Sequence, residues 1–379
     1  MGLHLMNKHI LYGIPHSLYT GRARSYLIKS GTPFRELSCG HKSFKQDILP
    51  AAKLATIPIL VTPDGRVIRD GAAIIEHLES SNGRLFRPKT PRHRLVSDLF
   101  DVIGAEGLLR PAMHYRWNFP EENLHFLDYH FYHAQPLSEH RREKTEHMMN
   151  KMRYAGRIFG VTDDNHHFVE SLYMDFLRTL DKHLQDFPYL LGWKPCIGDF
   201  GLIAPMFAHL GRDPKPLSIM HREAIHVYRW VERMNRVGED TVEFFDADYD
   251  YIEKDEIPSS LKDVLTVLAR DFVPETEAAA HAINGWLAAN DPQPGTGAAR
   301  YLGKNESMAS FTVGDQTIVA GAQPYRFFLL QRVQDFYEQV DMKDKQQLES
   351  LLADCNLDSL LGVKLSRRLG RNDNLEVWL

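Results

Sequence analysis

Cysteine is scarce: 3 residues in 379. Cys39, Cys196 and Cys355 lie far apart and form no Cys-x-x-Cys pair, which excludes a disulfide scaffold, a dithiol redox motif and a zinc ribbon. Thiols left reduced fit a cytoplasmic protein. Nowhere do about 18 uncharged apolar residues run together, so neither a transmembrane helix nor a membrane partner is expected. The amino terminus lacks the apolar run of a secretory signal, and Met6 stands where a myristoylation pattern needs Ser or Thr. Charge of one sign is also lacking. A formal net charge of -5 with no basic stripe argues against nucleic acid as a partner. No Gly-rich phosphate loop, Gly-x-Ser-x-Gly or His-Glu-x-x-His occurs, which removes nucleotide, esterase and metalloprotease readings.

What is present is an ordinary globular composition, 43% hydrophobic and 25% charged, in a chain long enough for two or three domains. Histidine is abundant at 19 residues. His130 and His133 have ligand spacing on a helix, yet no second cluster partners them, so no metal is expected. The stretch 239–256 is strongly acidic. It reads either as a cation or basic-partner site or as a solvated connector, and it lacks the ordered Gly turn of a calcium loop.

The most informative stretch runs from Thr56 to Leu78. Pro58 precedes the apolar run Ile59, Leu60, Val61, and a residue with no N–H belongs at the start or edge of a strand. Asp64-Gly65, between that run and Val67-Ile68, is a strong hairpin signal. Asp70-Gly71 then opens a helix whose apolar residues are Ala72, Ala73, Ile74, Ile75 and Leu78, with Asp70 as its cap. Upstream, 9–13 reads as a strand, 17–31 as a helix closed by Gly31, and 33–37 as a second strand.

This order of elements, with Ile57-Pro58 and Asp70-Gly71 in place, resembles the thioredoxin-like N-terminal domain of glutathione S-transferases. The resemblance implies an α/β thioredoxin-like domain, followed by an all-α domain like the C-terminal domain of that family. It implies that Ile57 and a cis Pro58 hold the cysteinyl part of glutathione, the co-substrate, and that Asp70 and Gly71 hold its γ-glutamyl end. Gly71 departs from the family's Ser and removes one hydroxyl. In 190–210, Cys196 and Asp199 match a family helix cap in which a Ser or Thr and an Asp close a reciprocal box. A thiol is a poor acceptor, so half of that box is expected, with Asp199 structural. The resemblance ends near residue 237, so the expected domains are 1–88, 89–237 and a mostly helical extension over 238–379.

Within the extension, helices are expected over 258–271, 274–289, 325–340 and 343–352, with a hairpin turning at Gly314-Asp315 and a short apolar tail from Leu375 to Leu379. Residues 119–146 look partly irregular. By the resemblance Ser17 is the catalytic hydroxyl that stabilises the glutathione thiolate, a role compatible with capping the first helix. Tyr12, His114, Tyr115 and Arg116 are candidates for the electrophile pocket; for the last three, internal packing and an internal ion pair are equally open readings. The expected function is a glutathione S-transferase-like enzyme acting on a small electrophile, as a homodimer by analogy. The alternatives are a non-catalytic transferase-like interaction or ligand-binding protein, and a redox protein using Cys39.

Overall fold

Leu11, Ile59, Leu60 and Ile68 are all buried, and the strands that carry them make the central sheet. The computed structural model describes residues 8–245, 248–299, 302 and 308–379. The amino-terminal residues 1–7 and the pair 246–247 of the acidic stretch lie outside the described residues. Strand β1 (His9–Gly13) runs parallel to β2 (Phe34–Ser38) and antiparallel to β3 (Ile59–Val61), which pairs with β4 (Val67–Arg69), giving the order β2-β1-β3-β4. Parallel neighbours need a crossover, supplied by helix α1 (Leu18–Lys29). Helix α2 (Leu49–Ala52) lies before the turn at Ile57-Pro58, and α3 (Gly71–Ser81) follows β4 at once. This is the expected thioredoxin-like arrangement, with β4 as an edge strand.

Helices α4 (Pro91–Glu106), α5 (Leu109–Trp117), α6 (Pro120–Ala134), α7 (Arg141–Ile158), α8 (His166–Leu184), α9 (Ile197–Ala208), α10 (Pro214–Glu223) and α11 (Ile225–Met234) form the all-α part. The supposedly irregular 119–146 is therefore mostly helical, in α6 and the start of α7. Its many His and Glu residues occupy the solvent side, while Leu127 and Phe131, four apart, are buried. Helix α9 packs between α1 and α4. A Cβ on Gly104 would lie 2.4 Å from the Gly201 backbone, so glycine at this crossing is what lets α4 and α9 touch. Asp199 accepts from the Cys196 N–H at 2.8 Å, and the thiol occupies the other half of the cap, so the box is more complete than expected.

The acidic connector is held by arginines: Asp240 takes both ends of the Arg229 guanidinium, and Glu243 binds Arg233 at 3.0 Å. Asp255 accepts the Arg92 and His93 N–H groups, both at 2.8 Å, and so caps α4. Of its two readings, the structure favours the connector.

Helix α12 spans Ser259–Asn290 without a break, where two helices were expected, over 258–271 and 274–289, and Pro274 lies inside it. An interior proline costs a helix about 3 kcal/mol; burial of Leu268, Phe272, Ala279 and Ile283 along one side offsets it. The hairpin of β5 (Met308–Val313) and β6 (Gln316–Gly321) turns at Gly314, and helices α13 (Pro324–Gln339) and α14 (Met342–Asp354) follow. The apolar tail is a strand: β8 (Leu375–Trp378) pairs with β7 (Leu369–Asn372). Helices α13 and α14 lie against α4, and α12 against α8. One continuous core includes Leu11 of β1, Phe200 of α9 and Trp378 of β8.

Candidate functional site

A cleft of about 120 Å³ opens where the Ile57-Pro58 turn, the start of α1, the start of α3 and the extension meet. The Ile57–Pro58 peptide bond is cis. Pro58 C=O accepts from the Asp70 N–H at 3.0 Å, which joins the turn to the start of α3. Among the described residues, the Ile57 N–H and C=O enter no backbone hydrogen bond. Ile57 lines the cleft, and two such groups can receive the main chain of a peptide-like ligand.

Asp70 has φ 85° and ψ 136°, an uncommon conformation for a non-glycine residue. Its carboxylate caps α3 through the Ala73 N–H at 3.3 Å. At Gly71 a Cβ would lie 3.3 Å from the Tyr19 carbonyl oxygen and 3.4 Å from Arg22 Cδ. Arg22 is buried and paired with Asp101 beneath the helix start, so the space that a Ser side chain would need is already tight.

Ser17 is the N-cap of α1, its Oγ accepting from the Thr20 N–H at 3.3 Å, and it does not line the cleft. Tyr19 does, two residues later, with its hydroxyl donating to Glu106 at 3.2 Å. Tyr19 was not singled out from the sequence. A signal exists: it extends the buried Ala23 and Tyr26 stripe of α1 by one turn, beyond the sheet, so its ring emerges at the cleft.

The cleft's remaining wall comes from the extension, which the sequence left without a role. Tyr325, the second residue of α13, donates to Asp70 Oδ1 at 2.6 Å, and Arg371 of β7 donates to Asp70 Oδ2 at 3.0 Å. Arg69 donates to Glu376 at 2.5 Å and to the Asn374 carbonyl oxygen at 2.6 Å. Burial alone would push the Asp70 carboxyl up, but Arg371, the Tyr325 hydroxyl, Arg22 and Arg69 together hold it below its ordinary value. Burial, reinforced by Asp70, drives the Tyr325 hydroxyl well above its own, so it stays a neutral donor.

The residues expected in the electrophile pocket are not brought together there. Tyr12 is buried beneath the sheet, its hydroxyl 2.7 Å from Ser43 Oγ. Arg116 is an internal anchor: it binds Asp213 at 2.6 and 2.9 Å and also meets the His16 and Ala208 carbonyl oxygens. His114 is buried between Glu170 and Asn118, 2.9 Å from each, and Tyr115 stacks on Phe119. Packing of α5 against α6 and α8 turns this aromatic, charged run inward. Cys39 is half-buried, and burial raises its thiol, so the chain offers no activated thiolate there. Among the described residues, no group of three or more His, Cys, Asp or Glu side chains is arranged to hold a metal ion. No helix among them is long and apolar enough to cross a membrane.

A family model for the glutathione S-transferase N-terminal domain matches residues 11–84. Residues 11–84 are thus similar to a glutathione S-transferase N-terminal domain, and the match ends just beyond α3. Similar solved structures include a glutathione transferase of Phanerochaete chrysosporium, at 15% identity over 60% of this chain and 96% of that one, with a TM-score of 0.42. A glutathione S-transferase of Ceriporiopsis subvermispora, solved in complex with glutathione, is 16% identical over 62% of this chain and all of its own, with a TM-score of 0.43. One from Rhodospirillum rubrum F11 is 13% identical over 68% of this chain and 99% of that one, with a TM-score of 0.38. No curated protein matches the chain.

Proposed function

We propose that this transferase-like protein binds a thiol peptide of the glutathione kind in the cleft at Ile57 and Pro58 and activates its sulfur for attack on a small electrophile. The observation that carries the reading is Ile57, which lines the cleft and whose N–H and C=O enter no backbone hydrogen bond among the described residues. An antiparallel pair of hydrogen bonds there aligns the cysteinyl unit, leaving its sulfur to be stabilised near the amino end of α1. Tyr19 supplies the hydroxyl in the cleft by exchanging its bond to Glu106 for one to the sulfur, and Ser17 orders the helix end that presents it. A donor aimed at the developing thiolate acts mainly by electrostatic stabilisation. The domain limits at residues 88 and 237, the homodimer and the cytoplasmic setting belong to the same proposal. The scarcity of cysteine, with the three residues far apart in the sequence, supports the last of these.

The test is turnover of glutathione with a general aryl halide electrophile. Tyr19→Phe is expected to lower kcat/KM roughly a hundredfold, while Ser17→Ala costs about 1 kcal/mol of stability and leaves most of the rate. Equal losses in both would move the thiolate donor back to Ser17.

A second reading is favoured by one observation: the Asp70 carboxylate is already engaged by Tyr325 and Arg371. In that reading the fold is a non-catalytic ligand-binding platform. Binding of a thiol peptide without turnover of any electrophile distinguishes it.

A further inference from the structure

By the family resemblance, Asp70 would receive the charged end of a γ-glutamyl ligand. Both of its oxygens are in use within the chain. Oδ1 accepts from the Tyr325 hydroxyl at 2.6 Å; Oδ2 accepts from Arg371 at 3.0 Å and from the Ala73 N–H at 3.3 Å. The Tyr325 hydroxyl and the Arg371 guanidinium therefore stand against both oxygens that the arm would need.

This wall is built in. Arg371 also binds Glu376 and the Arg69 carbonyl oxygen, the latter at 3.0 Å. The strand carrying Glu376 is tied down by the Ala298 N–H at 2.8 Å, by the bond from its own Trp378 N–H to the Thr296 carbonyl oxygen at 2.9 Å, and by the fully buried Trp378 ring against Trp286. The space left, about 120 Å³, is well below the roughly 300 Å³ at which pockets for drug-sized ligands begin. The wall at Arg371 and Tyr325 narrows the cleft on the side of Asp70, where the arm of a tripeptide would lie, and leaves Ile57 open to a smaller thiol.

We infer that the cleft selects a cysteinyl thiol without a γ-glutamyl arm, of the size of cysteinylglycine, and that Arg371 and Tyr325 are the specificity-determining residues that exclude the arm. The inference rests on the proposed ligand site at Ile57. In it, the dipeptide pairs with the Ile57 main chain, its thiol lies toward Tyr19, and nothing of the ligand needs Asp70.

The experiment is isothermal titration of the full chain with cysteinylglycine and with glutathione. Wild type is expected to bind the dipeptide about tenfold more tightly than glutathione, or better, because the γ-glutamyl arm has to be placed against a wall in which Asp70 is already engaged. Arg371→Ala, checked for an unchanged circular dichroism spectrum, vacates Asp70 and should improve glutathione binding at least tenfold while leaving the dipeptide nearly unchanged. Tyr325→Phe removes the other partner without a cavity and should shift the ratio in the same direction. A gain of glutathione affinity is a readout that a merely structural role would not give. If wild type binds glutathione as well as the dipeptide, or if neither variant moves the ratio, the inference falls and the ligand site stands. Failure of both ligands to bind overturns the inference and the proposed ligand site together.

Discussion

Asp199 is fully buried and accepts from the Cys196 N–H at 2.8 Å, the Leu190 N–H at 3.2 Å and the Trp230 indole at 2.9 Å. Burial raises its carboxyl even against these donors. Removing it strands three buried donors at once, so Asp199→Ala is expected to cost about 3 kcal/mol or more in chemical denaturation. His183 sets a pH dependence. Its ring lies between the Leu190 carbonyl oxygen at 3.0 Å and Ser260 Oγ at 2.9 Å, and burial lowers its pKa to about 4. Below the ordinary value near 6.5 the unfolded chain takes up a proton that the native ring refuses. Stability therefore falls as pH drops from about 6.5 to about 4, by about 3 kcal/mol for this group. His16 and His209, pushed well down by burial and by Arg116, act with the same sign. Urea denaturation at pH 7 and pH 4.5 reads the slope, and His183→Gln should flatten it.

At the scale of elements, the edge strand β4 shows how the extension is joined. Asn374, in the turn between β7 and β8, accepts from the Arg69 N–H at 2.9 Å and donates to the Val67 and Ala51 carbonyl oxygens, each at 3.1 Å. One amide side chain thus does for β4 what a fifth strand would do, and it covers an edge open to pairing with another chain. Asn374→Ala leaves a buried N–H and carbonyls without partners and is expected to cost about 2 kcal/mol. Hydrogen exchange at the Arg69 amide should accelerate more than at Leu60, in the sheet interior.

Over the whole molecule, the extension shares one core with the first two parts of the chain. Trp378 is fully buried in it, and Trp378→Ala is expected to cost about 4 kcal/mol. A shared core also predicts one cooperative unfolding transition, coincident by far-ultraviolet circular dichroism and tryptophan fluorescence. Two separated transitions would show that the extension folds apart from the rest.

The thioredoxin-like order, the hairpin at Asp64-Gly65, the Asp70 cap and the Asp199 cap were all legible in the sequence, because turns, caps and periodic apolar residues act over a few positions. Several contacts were not. Whether His114, Tyr115 and Arg116 faced a ligand or a core depended on which helices covered α5. The partners of Asp70, at residues 325 and 371, come from far along the chain. Local rules carry no information about such a meeting. It arises only when distant elements bury their apolar faces together and bring their polar groups within hydrogen-bond reach.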